Sequence, residues 1–208
     1  MIQKYEKEKG QTLIETVVAL FVLTTGLTAG LSLAIYSFST TTEISRKIIA
    51  TGLAREGIEV ARRQRDSNWL AGTLSDCGGQ FCYATWLTNP NNIAPAAGGG
   101  NEYRMIFDPA GVSGKWVLSA AGPATDFRLY LHSGTGYLHT ASSNPSPYFR
   151  KITMVNVDSS NPYSATSPLV MARSTVWWWD RGCPEATDPA ATHCKVITEE
   201  YLTNWKNY

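Results

Sequence analysis

The sequence predicts an α+β fold in which one long N-terminal helix, half membrane-spanning and half amphipathic, packs on an antiparallel β-sheet head. Three observations predict it. From Thr16 to Thr42 the chain is rich in apolar residues and carries no charge. From Glu43 to about Arg65, apolar and charged residues recur near helical spacing. From about Tyr103 onward, short aromatic and β-branched runs are punctuated by Gly, Pro, Asn and Ser. Strands that follow a helix in succession, rather than alternating with helices, give an α+β arrangement.

The first element carries the sharpest signal. Lys9 to Phe21 reads K-G-Q-T-L-I-E-T-V-V-A-L-F: a charged leader ends at Gly10, and Glu15 stands alone in an apolar helix. A charge inside a membrane helix costs about 2.5–3.5 kcal/mol on insertion scales, so it normally has a function. As a helix, Thr16–Thr42 is about 40 Å long, enough to cross a hydrocarbon core of about 30 Å. A secretory signal has an apolar core of about 7–15 residues with its cleavage site behind it. Here the run is longer and the glycine lies in front, so the apolar segment stays on the mature protein. The plainer alternative is a single-pass anchor with a stray glutamate near its cytoplasmic end.

Leader, glycine, carboxylate and apolar run, in that order, resemble the class III signal of prepilins in the type IV pilin-like superfamily. The specific match covers roughly residues 5–65. The resemblance implies cleavage after Gly10 on the cytoplasmic side, with N-methylation of the new amine on Gln11. It also implies an ion pair between Glu15 and the amino terminus of a neighbouring subunit. At Gln11 this chain departs from the family, which commonly has phenylalanine or another large apolar residue there. The implied function is a structural filament subunit, a major or minor pilin. The implied partners are copies of itself or related pilins, a prepilin peptidase, an inner-membrane assembly platform, and membrane lipid before assembly. The implied location is a single-pass membrane protein with a cytoplasmic N-terminus and an outside head, then a cell-surface filament. A pseudopilin of a type II secretion or DNA-uptake system is one alternative, and a membrane-anchored glycan-binding module is another.

The segments follow from this: leader 1–10, membrane and assembly half 11–42, amphipathic half 43–68, and a β-rich head 69–208 with a connector at about 71–101. Gly26 and Gly30 form G-x-x-x-G in the first half. Small residues there either let helices approach closely or mark a place that loosens, at about 1 kcal/mol of helix propensity each. In the second half, Ile44, Ile48, Ile49, Leu53, Ile58 and Ala61 define the face laid on the sheet, with Gly52 and Gly57 allowing close approach. Arg62, Arg63 and Arg65 suit a solvated helix end at the negative pole of the dipole. DNA or acidic lipid contact is the alternative, but a net charge of +1 gives no field that draws nucleic acid. Asp66-Ser67-Asn68 ends the helical pattern. Strands are expected at Tyr103–Phe107, Lys115–Ser119, Phe127–Leu131, Tyr148–Val157, Val170–Trp179 and Lys195–Leu202.

Four cysteines allow three pairings. Local pairs, Cys77–Cys82 and Cys183–Cys194, each close a loop with turn chemistry and fit a head outside the cytoplasm. A zinc site is the competing reading, but C-x2-C spacing is missing and His193 is the nearby histidine. Trp177-Trp178-Trp179 is the candidate surface-binding feature. In a strand Trp177 and Trp179 share one face and Trp178 takes the other, so core and subunit packing compete with glycan binding. His132 and His139 could meet across a turn at Gly134–Gly136, yet no catalytic motif accompanies them. Asp180, Glu185 and Asp188 match no defined calcium motif. No enzyme activity, cofactor or metal is expected.

Overall fold

The structure, a computed structural model, describes residues 11–70, 87, 93, 100–108, 115–121, 127–157, 169–180, 182–183 and 188–203. Its fold is α+β: a long helix, α1 (Gln11–Leu70), and an antiparallel sheet. The chain divides into two compact units, Met1–Ser45 and Arg46–Tyr208.

In the first unit every side chain from Thr12 to Ser39 is exposed. Apolar residues here therefore have no covering partner among the described residues. Among the described residues, α1 is the helix long and apolar enough to cross a membrane. Its many hydroxyls do not conflict with that. Thr16, Thr24, Thr25, Thr28, Ser32, Thr40, Thr41 and Thr42 each donate to a carbonyl three or four residues back. This local back-bonding satisfies the polar hydrogen without water, which an apolar solvent requires.

In the second unit α1 lays a continuous stripe on the sheet: Ala50, Leu53, Ala54, Gly57, Ile58, Ala61, Gln64 and Asn68 are all buried. The steps of three and four are those of one helix face. The expected face is corrected at its start. Ile48 and Ile49 remain exposed, as does Ile44 in the first unit, because burial begins only at Ala50. Buried Gln64 and Asn68 carry the packing on, and Gln64 Oε1 accepts from the Leu118 amide at 3.0 Å.

The strands are β1 (Asn101–Asp108), β2 (Lys115–Ala120), β3 (Arg128–His132), β4 (Gly136–Leu138), β5 (Pro145–Asn156), β6 (Leu169–Trp178) and β7 (Lys195–Thr203). All pairings are antiparallel. β5 is the hub. One edge pairs along its length with β6, which pairs in turn with β7. The other edge is shared, its start taking β3 and its end taking β1. Sequence reasoning missed the three-residue β4, which returns from β3 through Gly134 and Gly136, both at positive φ. β1 begins inside the expected connector. Leu87 and Ile93, also in that connector, are fully buried in the main core and joined by an Ile93 N–H to Leu87 carbonyl bond of 2.7 Å.

Even-numbered β5 and β6 residues face α1. Ile152, Met154, Val170 and Ala172 pack with Ile58, Val60 and Ala61, while Val176 and Trp178 pack with Ala50, Leu53 and Ala54. Gly57 is required where α1 packs on Ser174: a Cβ there would lie 2.5 Å from Ser174 Oγ and 3.3 Å from Ser174 Cβ. Gly52 faces open space instead.

Candidate functional site

Glu15 is exposed on the first unit's helix, and among the described residues it has no ion-pair partner. Gln11 is the first described residue of α1; Gly10 lies outside the described residues. Gln11 and Glu15 lie four residues, just over one helical turn, apart on α1. Gly26 and Gly30 meet nothing within 4 Å. The helix is unbroken through both, so their open face is available for a neighbour.

The tryptophan triplet divides as strand alternation requires, and that corrects its reading as a surface platform. Trp178 enters the core beneath α1 and is 4% exposed. Trp177, on the other face, is 1% exposed, stacks on Phe149 with centroids 5.3 Å apart, and meets Phe127 edge-on at 6.1 Å. Only Trp179 of the three keeps substantial exposure.

Cys183 and Cys194 form a disulfide with a Cα–Cα distance of 6.1 Å. Both are buried with Trp178 against Ala50, Leu53 and Ala54. His193 Nε2 lies 3.5 Å from Cys183 Sγ, which puts three donors of zinc-ligand type together. Sulfurs bonded to each other are not the thiolates a zinc site uses. Cys77, Cys82 and Glu185 lie outside the described residues. Asp180 and Asp188 are engaged separately: Asp180 pairs with Arg46 at 2.8 Å, and Asp188 accepts from the Ala190 amide at 2.8 Å. Arg46 also donates to the Trp179 carbonyl at 3.0 Å, tying the start of the second unit's helix to the end of β6.

The two histidines make different contacts. His132 Nε2 reaches the Thr140 carbonyl at 2.8 Å on the surface. His139 is buried, with Nδ1 2.7 Å from the Met105 carbonyl and Nε2 3.0 Å from the Arg150 carbonyl. Burial, reinforced by the Arg150 charge, pushes the His139 pKa down to about 4 against the opposing pull of those two carbonyls. With the ring neutral at physiological pH, one nitrogen carries the N–H and donates to one of the two carbonyls, while the lone pair of the other nitrogen faces the second.

Sequence reasoning overlooked Arg150. Its guanidinium is fully buried under α1, where it donates to Glu56 at 2.7 Å and to the Leu53 carbonyl at 3.3 Å. Its partner is 94 residues away, and no local pattern announces the pair. Of the basic cluster, Arg62 bonds Glu200 at 2.5 Å and Glu59 at 2.7 Å, Arg65 bonds Asp66 at 2.9 Å, and Arg63 is exposed. Two of these three cations are thus neutralised locally.

No family model, no curated protein and no solved structure matches this chain.

Proposed function

We propose that the protein is a structural subunit of a type IV pilus-like filament, made as a prepilin, cleaved after Gly10 and polymerised through its N-terminal helix. The observation that carries this reading is Glu15: a carboxylate with no ion-pair partner among the described residues, in a stretch of α1, Thr12 to Ser39, that carries no other charge and is exposed on every face. A simple anchor has no use for it. A filament does, because cleavage creates a positive amine at Gln11 that Glu15 of a neighbour can neutralise. In a low-dielectric surround an unpaired charge is expensive and a paired one is tolerable, so the pair also fixes subunit register. The head is held outside the membrane in this reading, which the disulfide between Cys183 and Cys194 supports. Before assembly lipid covers the apolar helix; afterwards neighbouring helices do. The peptidase and the assembly platform are the further partners. A pseudopilin would use the same helix and ion pair. The tryptophan-based glycan module loses its platform, since Trp177 and Trp178 serve the core.

Replacement of Glu15 tests the reading. In Glu15→Ala, membrane insertion is retained or improved, because a costly charge is removed, while filaments disappear. Electron microscopy of sheared cell-surface material, with immunoblots of the membrane fraction, reads both outcomes. Normal filaments from Glu15→Ala would sink the ion-pair account.

A further inference from the structure

The sheet face turned away from α1 holds a groove of about 230 Å³ that the filament role does not use. We propose that it is a binding site for one neutral sugar unit, a hexose or N-acetylhexosamine. The floor comes from outward positions on four strands: Glu102 of β1, Lys151 of β5, Arg173 of β6 and Lys195 of β7. One wall is the 3-10 turn Pro189–Ala191. That wall is anchored: Asp188 accepts from the Ala190 amide at 2.8 Å, Lys195 Nζ donates to the Pro189 carbonyl at 2.9 Å, and the disulfide at Cys194 follows directly. The groove is therefore formed before any ligand arrives, which spares the ordering cost of binding.

Its chemistry selects the ligand class. Lys151 pairs with Glu102 at 2.6 Å, and Arg173 with Glu199 at 2.5 Å. Cations and carboxylates are interleaved, so neither sign dominates. A free anion would meet Glu102 and Asp188; a free cation would meet Lys151, Arg173 and Lys195. A ring of hydroxyls, each both donor and acceptor, satisfies both sets. Ile197 is 49% exposed at the rim and, with Pro189, offers an apolar surface to the C–H face of such a ring. Sites that engulf drug-sized ligands span about 300–1,000 Å³, so this smaller groove takes one ring of a longer chain. The site is independent of Glu15 and of the tryptophans.

The test uses the full chain in a nonionic detergent without sugar head groups. Binding is measured to immobilised neutral oligosaccharides of hexose and N-acetylhexosamine, and to uronate oligosaccharides, at low and high salt. The expected result is retention on neutral chains at both salt levels. Ile197→Asp and Arg173→Ala each reduce it about tenfold or more, the loss of one charge-assisted or well-packed contact, while Arg63→Ala on α1 changes nothing. Retention on no neutral chain, retention on uronates alone that vanishes in high salt, or retention indifferent to both groove variants would each overturn the proposal.

Discussion

Gly57 of α1 lies against Ser174 of β6 with no room for a side chain between them. Gly57→Val forces atoms into a filled space and is expected to destabilise the head by about 1–3 kcal/mol, read as a lower denaturation midpoint. Shrinking the opposing residue in Gly57→Ala/Ser174→Ala recovers most of the loss suffered by Gly57→Ala. Arg150 makes the second residue-scale case. Glu56→Ala leaves its charge buried against a lone carbonyl. The expected cost is about 3 kcal/mol, the low end for a broken buried pair, because Glu56 is itself 41% exposed. His139 supplies the pH dependence. Its folded pKa of about 4 lies below the unfolded value of about 6.5. Between those values the unfolded chain binds the extra proton, so stability rises with pH through the window and is flat above about pH 7. Acidification from 7 to 4 costs about 3 kcal/mol through this group. Urea titrations of the parent and His139→Gln at several pH values should show a shallower acid loss in the variant; equal slopes would remove His139 from the account.

Among the elements, the disulfide is the link whose removal should loosen the most. It closes a loop of 11 residues' separation, worth about 3 kcal/mol by chain entropy, and buries both sulfurs against Trp178 and the Ala50–Ala54 stretch of α1. Cys183→Ser/Cys194→Ser should lower the thermal midpoint and speed hydrogen exchange in β7 and around Ala50–Ala54. A variant with unchanged exchange there would contradict the packing described. Elements with a periodic signal were legible in the sequence: the apolar half-helix, the centres of six strands and this cysteine pair. Elements fixed by distant partners were not. β4 is three residues long and exists because β3 turns back on itself. Leu87 and Ile93 sit in an aperiodic polar stretch, so nothing local marks them as core. Ile48 and Ile49 look like core by composition, yet the helix meets the sheet only from Ala50. Among the candidate sites, alternation already implied that the tryptophans part company. The groove across β1, β5, β6 and β7 was invisible because its residues come together only once strand register is known.

Across the whole molecule the two units differ in what stabilises them. The second buries its apolar residues between α1 and the sheet. The first exposes Leu13, Ile14, Val17, Phe21, Leu27, Leu31, Ile35 and Phe38, all above half exposed; in the proposed function this apolar surface is covered by lipid and then by other helices. The filament account assigns it both in turn, with Gly10 marking where the exchange becomes allowed. Mass spectrometry of the N-terminal peptide from surface filaments tests this claim most directly. The account predicts a mature chain that begins at Gln11, with or without a methyl group on its amine. A chain in those filaments that keeps residues 1–10 would contradict it.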